Sequence, residues 1–365
     1  MSGIGDYFLM ILPATYQSGL LLMIFALLCA GFWTSTFKAA KSFRYELYYL
    51  DFSAGVLLFA IVAAYTLGSL RSSELTFSDN LLIANYHQMA YAVAAGMVFN
   101  LANVVMLAAI SVGGIALCVP LTFGMALLIL SIWNFVADMR INAVLLFGGV
   151  LLILAAGAVI VVAYFRYRQA LAEAAKKAFM LDPRSKEGRR KAKGPSPAVP
   201  VALAVVAGVI LGFAPQVLDL ARVGDSGIAP YGLTLLFSAG VFLSTLIYAP
   251  FVLAFPIGGV SVSLADYFRA GTKGHVLGIL GGVLFCSAAL SSNIVAGTIV
   301  GRLLGPVLVT GLAQAVPLVA IVLGLIFWKE FSRGSSAAPL VWGGFLLYAV
   351  AVALIAFAPV YGLSK

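Results

Sequence analysis

The chain has 365 residues, 63% of them hydrophobic and 10% charged, with a mean hydropathy of +1.08 and a net charge of +9. A soluble chain would be near half apolar and about a quarter charged. The composition therefore excludes a cytosolic enzyme, a nucleic-acid-binding module and a secreted disulfide scaffold, and at about 20 apolar residues per bilayer crossing it allows about ten spans.

Apolar windows predict spans near 16–37, 49–70, 88–110, 113–135 and 142–165, then near 199–218, 231–255, 275–299, 304–328 and 338–360. The expected fold is all-α and polytopic, with a first five-helix unit over 1–165, a basic linker over 166–198 and a second five-helix unit over 199–365. The apolar stretch near the N-terminus runs on into a full span and lacks a basic flank, so no cleaved signal peptide is expected. The linker begins RYRQALAEAAKKAFMLD, which can continue span five as an amphipathic helix, and then turns into GRRKAKGPSPAVP, which has linker composition.

Ten of the 22 Lys and Arg residues fall in that linker, and Lys38, Lys41, Arg44, Arg269, Lys273, Lys329 and Arg333 fall in the loops on its side of the membrane. Only Arg71, Arg140, Arg222, Arg302 and Lys365 fall opposite. The positive-inside rule makes the linker cytoplasmic and puts both termini outside the cytoplasm, in a plasma membrane or a bacterial inner membrane.

Self-comparison suggests a repeat. FSAGV occurs at Phe52 to Val56 and again at Phe237 to Val241, an offset of 185. Ala95-Gly96-Met97-Val98-Phe99 meets Gly281-Gly282-Val283-Leu284-Phe285 at 186, and Phe147-Gly148-Gly149 meets Trp342-Gly343-Gly344 at 195. Each copy holds an odd number of spans, so the second enters from the opposite side and the pair forms a 5+5 inverted-topology repeat. Inverted repeats belong to alternating-access carriers with a site near the midplane.

All 13 carboxylates lie at or beyond span ends. A buried charge in the bilayer is costly and functional, so the empty midplane favours a small neutral polar solute over a cation. Candidate binding residues are Trp33 and Thr34 in span one, Asn100 and Asn103 on one face of span three, Ser291 and Asn293 in span eight, and Gln314 in span nine. The alternative is that Ser and Thr bond back to their own helix while Asn and Gln hold helices together. Asp51 and Glu330, at the cytoplasmic edge, are candidates for proton coupling or for structural ion pairs, Asp51 with Lys38 or Lys41 for example. His87 and His275 open spans three and eight, where solvation competes with a proton relay. Pro317, and Pro120 as a second case, mark expected kinks; Gly278 with Gly282 and Gly148 with Gly149 mark close helix packing.

No metal or cofactor is expected. Cys29, Cys118 and Cys286 sit in apolar runs without CxxC spacing, and no GxxxxGK[ST] phosphate loop occurs. The expected partners are the solute, protons and the bilayer, without nucleic acid, for a monomer or homodimer.

Three strings, YLDFSAGVLLFAIVAAYTLG, DMRINAVLLFGGV and QAVPLVAIVLGLIFWKEFSRGSS, resemble the ureide permease family of the drug/metabolite transporter superfamily. That resemblance implies ten spans with termini outside, a cytosolic central loop, and proton-linked uptake of allantoin and oxo-heterocycles such as uracil. On the superfamily pattern, spans one to four and six to nine line the cavity, which favours Trp33, Asn103 and Gln314. The family's plant members carry a phosphate-loop-like motif in the central loop that is lacking here. A sugar carrier is the competing transporter reading, and a non-transporting membrane sensor or assembly partner is the alternative from another class.

Overall fold

The computed structural model describes residues 15–41, 43–69, 76–181, 196–223, 227–254, 257, 262–331 and 337–361. Arg184, Lys186, Arg189, Arg190, Lys191 and Lys193 of the linker lie outside the described residues. Among the described residues the chain is all helix, without strands.

Ten helices are long and apolar enough to cross a membrane: Tyr16–Ala39, Tyr45–Tyr65, Tyr86–Gly113, Ile115–Ala137, Ala143–Lys177, Ala198–Leu220, Pro230–Ala254, Thr272–Gly297, Ile299–Phe327 and Ala337–Phe357. They are called spans one to ten. Each overlaps an expected span, and the helix of span five runs on to Leu181 as the sequence suggested. Only helices satisfy every backbone group within one segment, which is why hydropathy reads them so well. Two short helices, Phe77–Ile83 and Leu264–Arg269, sit in loops, each started by a capping box: Thr76 with Asp79, and Ser263 with Asp266.

The packing of the spans is crossed. Span two packs on span eight and span seven on span three; span one packs on eight and six on three; four meets six and nine meets one. Spans two and seven, four and nine, and five and ten also meet. The glycines of the repeated strings make the closest of these contacts. A Cβ on Gly55 or Gly282 would collide with backbone of Ile279 or Phe52, and one on Gly96 or Gly240 would collide with backbone of Phe237 or Val93. Without a hydrophobic drive between helices in lipid, such small-residue contacts are what let backbones approach. Gly278 packs likewise on Asp51 and Gly149 on Ile355, whereas Gly148 has open space around its α-carbon.

Two spans are broken. Span six stops at Leu211 and restarts at Ala214, with Pro215 in the first turn of the second piece. Span nine stops at Gln314 and restarts at Val316, with Pro317 in the first turn, and it carries a further kink at Gly305, φ +78°, before Pro306. Span nine closes in a π-helical turn, Leu323–Phe327. The kink expected at Pro317 is a break at Ala315, two residues earlier, while at Pro120 the helix of span four continues unbroken.

Spans three and four are separated by one residue, Gly114, at φ +89°. Only glycine adopts that conformation freely, and a Cβ there would lie 2.8 Å from Glu330 Oε1. All three cysteines are free and buried.

Candidate functional site

A cavity of about 240 Å³ lies where the two broken spans face each other. Spans one, three, four, six, eight and nine wall it; spans two and seven do not reach it. Its lining includes Trp33, Phe99, Phe123 and Phe285 together with Ser292 and Gln314. Phe99 stacks on Phe285 at 4.6 Å and 18°, and Trp33 meets Phe52 at 5.0 Å and Phe285 at 6.2 Å. These rings form an apolar wall with fixed faces. Among the described residues neither Ser292 nor Gln314 has a hydrogen-bond partner, so a hydroxyl and an amide are available to a solute. The breaks bring Gly212, Pro215 and Val316 to the same wall.

Of the expected binding residues, the cavity brings together Trp33 and Gln314. Thr34 donates to its own helix at the Gly31 carbonyl, 3.3 Å. Ser291 is buried outside the cavity, and its neighbour Ser292 is the lining residue. Asn293 donates to Thr234 Oγ1, 2.9 Å, and accepts from Arg222. Asn100 and Asn103 share a face as expected, but that face meets spans two and seven. The Tyr49 hydroxyl donates to Asn100 Oδ1, 2.6 Å, while Asn100 Nδ2 donates to Ser244 Oγ, 2.7 Å, and Thr245 Oγ1, 3.1 Å. Asn103 Nδ2 donates to the Tyr49 oxygen, 3.1 Å, and its own Oδ1 is buried without a partner. Phe99, Phe123 and Phe285 were not singled out by the sequence, and Ser292 was visible there only as one of four polar residues of span eight, with Ser287, Ser291 and Asn293, which fall on several faces of the helix and do not mark which one meets the cavity.

The end of the bundle that carries Lys38, Arg168 and Lys273, here the basic end, holds its polar contacts in layers. Next to the Trp33 cluster, Thr36 and Tyr48 share a hydrogen bond of 2.6 Å. Beyond them lie two charged clusters.

In the first, Asp51 pairs with neither Lys38 nor Lys41, the partners expected from their nearness in sequence. Its Oδ1 accepts from the Tyr267 hydroxyl, 2.5 Å, and its Oδ2 lies 2.8 Å from His275 Nδ1. The other ring nitrogen, Nε2, lies 3.1 Å from the Tyr267 carbonyl oxygen. Both imidazole nitrogens thus face acceptor groups. A neutral imidazole donates from one nitrogen only, so in that form it bonds either the Asp51 carboxylate or the Tyr267 carbonyl and not both. Burial first, and then the Asp51 bond, hold the Tyr267 hydroxyl well above its usual range, which keeps it a donor. Asp51 is 5% exposed and His275 24%, and Phe43 meets the imidazole ring edge-on at 5.0 Å. His87, by contrast, sits at an exposed helix start and bonds to its neighbour Asn85.

In the second cluster, Glu330 pairs with Lys38 and accepts from the backbone N–H groups of Ile115, 3.0 Å, and Ala116, 2.8 Å. These are the first N–H groups of span four, unsatisfied within their own helix. The turn after span nine aims the carboxylate there: Lys329 and Phe331 have φ of +50° and +66°, and Glu330 N–H donates to the Gly324 carbonyl, 2.9 Å. Trp328 Nε1 adds a bond to Ser35 Oγ, 3.1 Å. The cluster clasps spans one, four and nine together. Among the described residues no group of His, Cys, Asp and Glu has the arrangement of a metal site.

No family model matches the chain. Two curated proteins of Arabidopsis thaliana do: Ureide permease 1, 31% identical over 131 residues, 35% of this chain and 34% of that protein, and Ureide permease 3, 30% identical over 131 residues, 35% and 38%. The chain spans about a third of the length of these relatives. A crystal structure of a protein covers 94% of this chain and 99% of its own at 19% identity, with a TM-score of 0.48, too low to carry an argument. The resemblance to the ureide permease family is thus met by direct comparison over about a third of the chain, and the chain is a multi-pass membrane protein similar to the ureide permeases.

Proposed function

We propose that the protein is a secondary carrier for a small neutral polar solute, of the ureide or oxo-heterocycle class, working by alternating access. The observation that carries this reading is the cavity of aromatic walls with the unpartnered Gln314 amide and Ser292 hydroxyl. Its 240 Å³ falls below the roughly 300–1,000 Å³ of drug-sized pockets, so the solute is small. A flat ring with adjacent carbonyl and N–H groups pairs with one amide and stacks on Trp33 or Phe285. A sugar asks for more: each of its several hydroxyls would need a partner once desolvated, and the lining offers few polar side chains. The permease relatives support the same class.

The crossed packing, with FSAGV of each half laid against the glycine string of the other, supports an inverted repeat in which one half rocks against the other. The basic end is assigned to the cytoplasm by its lysines and arginines, with both termini on the other side. Of the two coupling candidates, Asp51 is the one assigned to protons. It lies in hydrogen-bond contact with the titratable ring of His275, whereas Glu330 is engaged by three donors and acts as a clasp at the cytoplasmic end.

The test is thermal unfolding of the purified protein with allantoin, uracil, xanthine, rhamnose and glucose, followed by uptake into proteoliposomes. A ligand that binds the folded state raises its melting temperature. A shift confined to the oxo-heterocycles, with saturable uptake lost in Gln314→Ala, is the expected result. A shift with sugars alone would transfer the substrate assignment, and uptake that never saturates would end the carrier reading.

A further inference from the structure

The short helix Leu264–Arg269 lies at the basic end where spans seven and eight leave the bilayer, because both of its ends are tied there. Just before its cap at Ser263, the Val262 N–H donates to the Leu253 carbonyl in the last turn of span seven, 3.4 Å. At the other end only Ala270 and Gly271 separate Arg269 from Thr272, the first residue of span eight. The helix is thus held at the level where apolar surroundings give way to polar ones.

Tyr267 fixes its rotation. The Tyr267 hydroxyl donates to Asp51, 2.5 Å, and the ring meets that of His275 edge-on at 4.6 Å, so this side chain faces the protein. At about 100° per residue, Leu264 and Phe268 stand about 60° and 100° round the helix from Tyr267, whereas Arg269 and Asp266 stand about 200° and 260° round. One apolar arc therefore begins on the protein at Tyr267 and continues away from it. Leu264 is 58% exposed and Phe268 82%. The flanking spans are likewise apolar and exposed up to these ends, with Ile247 and Phe251 in the last turns of span seven and Val276 and Ile279 in the first turns of span eight.

We infer that the partner of this arc is the membrane surface, with Leu264 and Phe268 seated between headgroups and acyl chains. The inference goes beyond the carrier reading and does not depend on it. An interfacial helix sinks its apolar side about 5–10 Å into that boundary and keeps its charges on the other side. Asp266 is turned to the helix's own cap, accepting from the Ser263 N–H and hydroxyl at 2.9 Å each. Arg269 and Lys273 are exposed beside it, a pair that suits acidic headgroups. A second protein fits less well. Two side chains fall far short of the roughly 1,200–2,000 Å² that a stable contact between proteins buries, whereas ten spans already hold the bilayer against the molecule. The membrane surface and the buried Asp51 carboxylate then grip one short element from two sides.

The test is the depth of a nitroxide in nanodiscs of mixed phosphatidylcholine and phosphatidylglycerol. Phe268→Cys, Leu264→Cys and Arg269→Cys are labelled one at a time in the full chain. The native Cys29, Cys118 and Cys286 are buried, which directs the label to the introduced thiol. Collisions with oxygen, which partitions into acyl chains, are compared with collisions with a water-soluble nickel chelate. The expected result is an oxygen-to-chelate ratio several-fold higher at 268 and 264 than at 269, on the polar arc. Equal ratios at the three positions would show a helix standing in water and overturn the inference. Low collision rates with both reagents at 268 and 264 would show a cover of protein, a second copy or another chain, and overturn it as well. Should the label at 268 disturb folding, as read by a lowered melting temperature, position 264 on the same arc decides against 269.

Discussion

Replacing Glu330 by glutamine tests whether the clasp is held chiefly by the helix start of span four or by Lys38. The carboxylate accepts three bonds, one from each of Ile115 N–H, Ala116 N–H and Lys38. Hydrogen bonds to a charged group are worth about 1.5–3 kcal/mol each. Glutamine keeps the shape and one acceptor oxygen, so it retains one backbone bond in weaker, neutral form and turns its own N–H₂ toward the other donor. The ion pair adds less, because Lys38 is 29% exposed against 11% for Glu330; exposed pairs contribute about 0.2–1 kcal/mol. The expected costs are therefore about 3 kcal/mol for Glu330→Gln and about 1 kcal/mol for Lys38→Met. The double variant should cost about 3 kcal/mol, short of the sum by about the pair's coupling. Unfolding free energies of the four proteins in mixed micelles supply the cycle. Equal costs for the two single variants would refute the reasoning, since the ion pair and not the helix start would then hold Glu330. Strict additivity would refute the pair itself.

Asp51→Asn should leave solute exchange intact and abolish accumulation driven by a pH gradient; accumulation that persists would remove Asp51 and His275 from coupling. Gly282→Val and Gly240→Val should each lower stability by about 3 kcal/mol or more, the upper range of overpacking, because the obstruction is backbone, whereas Gly148→Ala should be neutral; melting curves decide. Ser292→Ala should weaken solute binding several-fold in a calorimetric titration and Ser291→Ala should not, since only the first side chain lines the cavity.

The spans were legible because a bilayer demands a set length of apolar helix, and no competing fold satisfies that demand. The close contacts were legible for a related reason: the strings around Gly55, Gly96, Gly240 and Gly282 repeat because each must pass another backbone. Side-chain direction was not legible. In helices whose few polar residues do not mark the cavity-facing side, spacing alone does not separate Ser291 from Ser292, or tell that the Asn100 face turns to Tyr49 and not to a cavity. The Asp51 partner was missed because nearness in sequence pointed to lysines, while His275 stands 224 residues away. The breaks in spans six and nine each carry a proline in the sequence: Pro317 marks one, and Pro215, three residues beyond Gly212, carries the same signal for the other.

The single residue between spans three and four carries a mechanical consequence. Consecutive α-carbons are about 3.8 Å apart, so Gly113 and Ile115 can never separate by more than about twice that. Any displacement of the start of span four drags the end of span three along with it, as two rods do when pinned at one tip. Span three in turn carries the Asn100 network to spans two and seven. Releasing Glu330 at the pin would therefore be felt at the far side of the molecule through levers of fixed length, with no slack loop to absorb the movement.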